Sequence, residues 1–232
     1  MTPEPSDTPR GASKAFIHVR SIASAAIAGV VYAVLAVLAL RLLTHYPQLA
    51  LPDEELTAWF GEPEHLADLL TGLNLAAISS IAFLWFVAVI RRQIGDREDQ
   101  FFSTVFFGSA IVYVSLWLAS AALLAAPAVV INLRDSANIE GTSAALAFGT
   151  ASVLTLVVGP RIQAVFVFTT STLIMRTGAL PRWLAYWGYL MGAILLLVPF
   201  VTEPLGIGLP IWVFVSSVTI IVQQRRSKLQ QS

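Results

Sequence analysis

The sequence has no cysteine and little charge: charged residues make up 12% of its 232 positions. The absence of cysteine excludes disulfides, thiolate metal sites and cysteine nucleophiles. A soluble domain usually carries about twice this charged fraction. Hydrophobic residues account for 56% of the chain, and the mean hydropathy is +0.75. Because the apolar residues also stand in long runs, the composition indicates a polytopic membrane protein.

The chain also lacks the motifs of common enzyme classes. It contains no HExxH, GxSxG, Walker or Rossmann glycine pattern, and no acidic residue lies inside an apolar run. His45 and His65 stand in an acidic segment, but their spacing matches no zinc motif. No basic stripe points to nucleic acid. We therefore predict no catalytic residue, no metal site and no cofactor.

Charge-free runs divide the chain into predicted membrane spans. Ser21–Leu40 has 20 residues, enough to cross a hydrocarbon core of about 30 Å. The core of a cleavable signal peptide has roughly 7–15 residues, so we predict that this run is a retained first helix. One domain, residues 16–226, follows a disordered cytoplasmic tail (1–15) and precedes a second tail (227–232). Its predicted spans are 20–42, 69–91, 101–126, 143–175, 182–202 and 207–224.

The fourth span decides the topology. Residues 141–175 form a run of 35 interrupted only by Arg161, too short for two spans and too long for one upright helix. We predict a single overlong helix kinked at Pro160. With six spans, eleven of the 14 lysines and arginines lie on the side of the termini, two lie on the other side and Arg161 is the remainder. The positive-inside rule then places both termini in the cytoplasm. The predicted fold is an all-α transmembrane bundle of six helices.

A short amphipathic helix is predicted in the first outer loop, at LPDEELTAWFG. Pro52 suits a first helical position, and three acidic residues follow it in the first turn. Leu56, Trp59 and Phe60 share one face, which we expect to rest on the membrane surface or on the bundle.

Small residues mark the predicted helix contacts. Lipid gives helices no hydrophobic reason to associate, so close packing needs small side chains. The first helix carries Ser21, Ala25, Gly29 and Ala33 at i, i+4 spacing, and the fifth carries Gly188 and Gly192. We interpret both sets as packing seams, with a dimer interface or a substrate groove as the alternative.

An arginine interrupts the apolar stretch TLVVGPRIQAVFVF. Such a charge costs about 2.5–3.5 kcal/mol at the centre of a membrane helix and less toward its ends. We predict that Arg161 faces the bundle near the outer surface and bonds to backbone carbonyls or to polar residues within reach. The role is structural, or else an anion or headgroup site. The polar residues in question are Asn74, Tyr113, Ser115, Asp68 and Glu203.

Two longer stretches carry a resemblance. They are FLWFVAVIRRQIGDREDQFFSTVFFGSA, residues 83–110, and TTSTLIMRTGALPRWLAYWGYLMGAILL, residues 169–196. Together they resemble a group of uncharacterised six-span bacterial inner-membrane proteins, a family defined by a domain of unknown function. The resemblance implies six spans and the bacterial cytoplasmic membrane. It brings no activity, cofactor or catalytic residue.

The expected function is that of a non-enzymatic integral membrane protein with a structural, accessory or interaction role. Its expected partners are the lipid bilayer and either another membrane protein or a second copy of the chain, and not nucleic acid. The first alternative is a small carrier or binder of an anion or amphiphile that uses Arg161. The second is an enzyme acting on lipid.

Overall fold

The computed structural model describes residues 10–45, 53–94, 100–134, 141–198 and 206–229, and all regular structure within them is helical. The prediction of an all-α protein is confirmed. The elements are α1 (Arg10–Leu43), α2 (Asp53–Gly61), α3 (Pro63–Ile94), α4 (Gln100–Arg134), α5 (Gly141–Ser152), a π-helical segment (Val153–Val158), α6 (Gly159–Thr177), α7 (Arg182–Leu197) and α8 (Gly208–Leu229).

Within the described residues, four stretches are long and apolar enough to cross a membrane: Ala26–Leu43, Pro63–Arg92, Phe101–Leu133 and Thr142–Thr177. The last of these joins α5, the π segment and α6 into one continuous helical rod. Two further apolar helices are shorter, namely α7 and the Gly208–Gln223 part of α8. The structure thus confirms a helical bundle with several helices of membrane-crossing length.

The helices pack in a definite order around aromatic side chains. α1 lies along α3 and α8, α4 packs on α3 and α6, and α6 packs along α7. Phe83 of α3 lies at the centre of this arrangement and is fully buried. Its ring centroid is 4.8 Å from that of Tyr32 and 5.2 Å from those of Tyr113 and Phe166. One phenylalanine therefore joins α1, α3, α4 and α6.

Gly29 marks the closest approach of three helices. A β-carbon built on Gly29 would overlap the Ser217 hydroxyl of α8 and lie 2.7 Å from Cδ2 of Phe86 on α3. Ala33, one turn further along α1, is also buried. The side chains of Ser21 and Ala25, the other two residues of the predicted stripe, lie outside the described part of the structure.

The two glycines of α7 face α6 in the same way. A β-carbon on Gly188 would overlap the Ser171 hydroxyl, and one on Gly192 would lie 3.1 Å from Cε1 of Phe168. A side chain at Gly188 would displace a packed neighbour, and one at Gly192 would require the Phe168 ring to shift by a few tenths of an ångström, so both glycines favour the close approach of α6 and α7.

A glycine turn makes α6 and α7 an antiparallel hairpin. Gly178 has φ 64°, in the left-handed region that favours glycine, and its N–H donates to the Ile174 carbonyl at 2.9 Å. Pro181 then begins α7 with extended backbone. The turn leaves Arg176 and Arg182 at the same end of the bundle.

Helix α4 is longer than predicted. The span was expected to end near Ala126, but the helix continues through Pro127 to Arg134. A proline removes one helical hydrogen bond, yet it is tolerated where neighbouring helices surround the freed carbonyl. Pro127 is buried against such neighbours.

Two other helix ends also differ from the predicted boundaries. α7 ends at Leu197 rather than near Thr202, because Val198 has extended backbone at φ −75° and ψ 120°. Val198 precedes a proline, and the proline ring disfavours helical backbone at the preceding residue. At the other end of the chain, α1 begins at Arg10, inside the segment predicted to be a disordered tail.

Candidate functional site

The π-helical segment Val153–Val158 interrupts the long fourth helix immediately before Pro160. At its end the Gly159 N–H donates to the Leu154 carbonyl, five residues back instead of four. A β-carbon on Gly159 would lie only 2.8 Å from that carbonyl oxygen, so glycine suits the position. Pro160 occupies the first turn of α6, where its missing N–H is tolerated. The sequence predicted a kink at Pro160, and the structure places a π segment directly ahead of it. Segments of this kind are rare and frequently occur at functional sites.

Arg161 connects this segment to the end of α7. Its Nη1 donates to the Val157 carbonyl at 2.5 Å, and its Nη2 donates to the Val198 carbonyl at 3.2 Å. Val198 caps α7, and the last carbonyls of a helix lack helical donors and carry partial negative charge. The half-buried guanidinium therefore satisfies carbonyls and complements the dipole of α7.

Two of the polar residues predicted around Arg161 bond within their own helices. The Asn74 amide donates to the Leu70 carbonyl at 2.8 Å, and the Ser115 hydroxyl donates to the Ile111 carbonyl at 3.0 Å. Both side chains are exposed on the outer surface of the bundle. Each side chain therefore bonds to a carbonyl of its own helix, as short polar side chains commonly do.

The other predicted residues are placed differently. Tyr113 is buried and shares a 2.8 Å hydrogen bond between hydroxyl groups with Tyr32 of α1. Asp68 is half-buried on α3, and Glu203 lies outside the described residues. Among the described members of the predicted set, Tyr113 also lines a cavity.

This cavity lies beside the π segment and has a volume of about 40 Å³. It is bounded by α1, α4, the π segment, α6 and the start of α8. That volume has room for about two or three water molecules. The polar residues in its wall are Tyr113, Trp117, Thr155 and Gln163.

Two residues that line the cavity each carry a buried polar atom with no hydrogen-bond partner among the described residues. The atoms are Oε1 of Gln163, an acceptor, and Nε1 of Trp117, a donor. Gln163 is only 8% exposed. An unsatisfied buried polar group costs about 1–3 kcal/mol, so these two atoms weaken the packing around the cavity unless a partner reaches them.

Sequence reasoning passed over Gln163 and Trp117. A signal was available, because Gly159 and Gln163 are one turn apart and so lie on one face of α6. The sequence prediction concerned Arg161 instead, which lies on a different face of α6. Next to the cavity, Ser120 of α4 pairs with the Thr155 hydroxyl and bonds to the Ala151 carbonyl at 3.1 Å. These bonds hold the π segment against α4.

The acidic outer segment has a packing role. The His65 ring stacks on Trp59 with centroids 4.2 Å apart, and its Nδ1 lies 2.8 Å from the Trp59 carbonyl oxygen and 3.6 Å from a Glu62 carboxylate oxygen. Phe60 is buried and stacks on Phe148 of α5. Helix α2 therefore rests on the bundle. In the described ranges no three histidine, aspartate or glutamate side chains are grouped to hold a metal ion.

The tyrosine pair between α1 and α4 gives the first test. Tyr32→Phe and Tyr113→Phe each remove one hydroxyl of the 2.8 Å bond. A double-mutant cycle on unfolding in micelles should give a coupling of about 0.6 kcal/mol and no more than about 1.7 kcal/mol, the average and the maximum for hydrogen bonds between membrane helices. The matched control is Tyr186→Phe, at a side chain that is 60% exposed, with no expected effect. A coupling indistinguishable from zero would show that the bond does not stabilise the bundle.

Comparison with known proteins identifies no relative of this chain. No protein-family model matches the chain, and neither a curated protein nor a solved structure shows significant similarity to it. The function is therefore inferred from geometry and charge.

Proposed function

We propose that this chain is a six-span integral protein of the bacterial cytoplasmic membrane with a structural, accessory or interaction role, and that it is not an enzyme. In this proposal both termini are cytoplasmic, and the partners are lipid and either another membrane protein or a second copy of the chain. The resemblance carried by residues 83–110 and 169–196 supports the compartment and the number of spans.

The placement of basic residues supports the topology. The Arg91 guanidinium lies 5.7 Å from the ring centroid of Phe107, and that of Arg176 lies 4.3 Å from the centroid of Phe102. Both rings belong to the first turns of α4, so the basic ends of α3 and α6 meet at one end of the bundle. The α6–α7 turn adds Arg182 to this end. A concentration of positive charge at one end is typical of the cytoplasmic side.

In the six-span proposal α7 and α8 are the fifth and sixth spans. α7 has 16 residues and rises about 24 Å, less than the roughly 30 Å of a bilayer core. Short spans are accommodated by local thinning and by flanking residues that reach the interface. The apolar part of α8, Gly208–Gln223, also has 16 residues and rises about 24 Å, so the same accommodation applies to it.

The functional proposal rests on the two hydrogen bonds that the Arg161 guanidinium donates to backbone carbonyls. Hydrogen bonds from a charged donor contribute about 1.5–3 kcal/mol each. Two such bonds, to Val157 and Val198, offset the roughly 2.5–3.5 kcal/mol cost of an arginine within a membrane helix. A structural role therefore accounts for the charge without an anionic ligand, which favours an accessory protein over an anion carrier.

The test compares Arg161→Gln with Arg92→Gln, an exposed arginine at the end of α3. We expect Arg161→Gln to lower the free energy of unfolding by about 1–3 kcal/mol, because two carbonyls lose a charged donor, and Arg92→Gln to change it little.

Protein purified in mild detergent should carry a stoichiometric partner or form a homo-oligomer. In liposomes it should move neither chloride nor phosphate. Anion flux that a folded Arg161→Gln protein has lost would instead establish the carrier.

A further inference from the structure

We propose that two copies of this chain associate through the outward face of α3, and that the Asn74 side-chain amides of the two copies hydrogen-bond to each other there. This association rests on the membrane role proposed above, and it names the partner as a second copy of the chain. It uses a different surface from Arg161, which bonds at the end of α7.

A narrow stripe of exposed residues runs along α3. They recur in alternating steps of three and four residues: Thr71, Asn74, Ile78, Ile81, Trp85 and Ala88. The steps average about 3.5 residues, the repeat that keeps one seam of a helix facing a partner helix in a left-handed pair. α1 and α4 pack on other faces of α3, and the stripe stays exposed. Its largest apolar side chains, at Ile78, Ile81 and Trp85, are 51%, 57% and 66% exposed.

An apolar stripe alone would suit lipid equally well, but the amide of Asn74 would not. One N–H of the amide donates to the Leu70 carbonyl at 2.8 Å, which is the hydrogen bond that the described residues give this side chain. The second N–H and the Oδ1 acceptor point to partners outside the chain. Asn74 follows Asp68 by six residues, about 9 Å, and precedes Arg91 by 17 residues, about 25 Å. In the six-span proposal the amide therefore lies within the hydrocarbon, where lipid tails offer no hydrogen bond.

A second copy of the chain fits this amide because an amide is complementary to itself. Each Asn74 offers a donor and an acceptor, so two of them can donate to each other. Identical chains inserted in the same orientation carry Asn74 at the same depth, and a two-fold axis along the membrane normal brings the two amides together. A single asparagine in an apolar seam also fixes the register of the two helices. Arg92, which is exposed at the inner end of the stripe, lies beyond the apolar run, where salt screens the repulsion between copies.

The first experiment places a photoreactive benzophenone side chain at position 81 of the full-length protein in isolated membranes of the expressing cells. After irradiation we expect a covalent product of twice the mass of the chain, with the crosslink in residues 71–88 of the second copy. The control is the same group at position 190, since Leu190 is 61% exposed but lies on α7, which packs against α6. Position 190 should give lipid adducts only. A crosslink from position 81 to a different protein, or lipid adducts alone, would overturn the proposal.

Variants of Asn74 test the hydrogen-bonded pair. The dissociation constant of the dimer is measured by energy transfer between labelled copies as phosphatidylcholine vesicles are diluted with lipid. Asn74→Leu should raise it about eightfold, which corresponds to about 1.2 kcal/mol, or two bonds of the average size found between membrane helices. Asn74→Gln keeps an amide and should recover part of the affinity. The control Thr150→Val removes an exposed α5 hydroxyl that bonds to the Leu146 carbonyl, and it should change nothing. Equal dissociation constants for Asn74→Leu and the wild type would overturn the amide pair.

Loss of the dimer and loss of the membrane role give different results. A chain that sediments with membranes, stays monomeric and carries only lipid adducts at position 81 is a membrane protein without this dimer. A chain that is missing from the membrane fraction has neither. Because neither Asn74 variant changes the charge of a loop, both should keep the topology of the wild type.

Discussion

Gly29→Ala is expected to lower the free energy of unfolding by about 1–3 kcal/mol, the usual cost of overpacking a filled interior. The new methyl group would overlap the Ser217 hydroxyl and lie 2.7 Å from Cδ2 of Phe86. Phe86 is only 1% exposed, so its ring has no free space into which it can move. The three helices that meet at Gly29 must separate slightly, and the contacts around them weaken together. Unfolding in mixed micelles measures the effect.

The control is Gly108→Ala on α4, where an added β-carbon meets no atom within 4 Å. That substitution should be neutral or stabilising, because alanine favours helix by up to about 1 kcal/mol over glycine. Adding Ser217→Ala to Gly29→Ala removes one of the two overlaps and should recover part of the loss. If Gly29→Ala and Gly108→Ala behaved alike, α1, α3 and α8 could not be in close contact at Gly29.

Gly159→Ala is expected to destabilise the protein although alanine is the better helix former. A β-carbon at this position would lie 2.8 Å from the Leu154 carbonyl oxygen. That oxygen is backbone and accepts the Gly159 N–H, so it moves only if the π segment rearranges. Overpacking of this kind costs about 1–3 kcal/mol, against a propensity gain of about 1 kcal/mol. Because the overpacking cost is the larger of the two, Gly159→Ala should lower the free energy of unfolding.

Gly149→Ala in α5 is the matched control for this prediction, since an added β-carbon there meets nothing within 4 Å. Gly149→Ala should raise the free energy of unfolding by the gain in helix propensity, up to about 1 kcal/mol, with no overpacking cost. Hydrogen exchange adds a local measurement, in which the amides of the π segment exchange faster in Gly159→Ala and unchanged in Gly149→Ala. Stabilisation by both substitutions would contradict the π-helical geometry at Gly159.

Much of the architecture follows from the amino-acid sequence because it depends on local patterns. Long charge-free runs predict helices of membrane-crossing length, and the acidic first turn together with the face of Trp59 and Phe60 predicts α2. The early end of α7 was also predictable, because a residue that precedes proline avoids helical backbone. The continuation of α4 through Pro127 was not, because it depends on the packing that buries this proline in the bundle, which local sequence does not show.

The candidate site was predicted only in part, for the same physical reason. A charge in an apolar run is visible in sequence, so Arg161 could be found, but its partner at Val198 depends on where α7 ends. A π segment is a shift of hydrogen-bond register that leaves no compositional signal. The meeting of Gln163 and Trp117 at one cavity depends on the rotation of α6 relative to α4. Such a relation between helices is set by packing and not by either helix alone.

The most direct test of the central claim, six spans with cytoplasmic termini, is accessibility to an impermeant thiol reagent in intact cells. Because the chain has no cysteine, single cysteines can replace Ser103, Ser136, Thr177 and Ser227 without background labelling. The account predicts that the reagent labels position 136 from outside and reaches the other three only after the cells are permeabilised. Labelling of position 177 or 227 in intact cells would contradict the six-span topology.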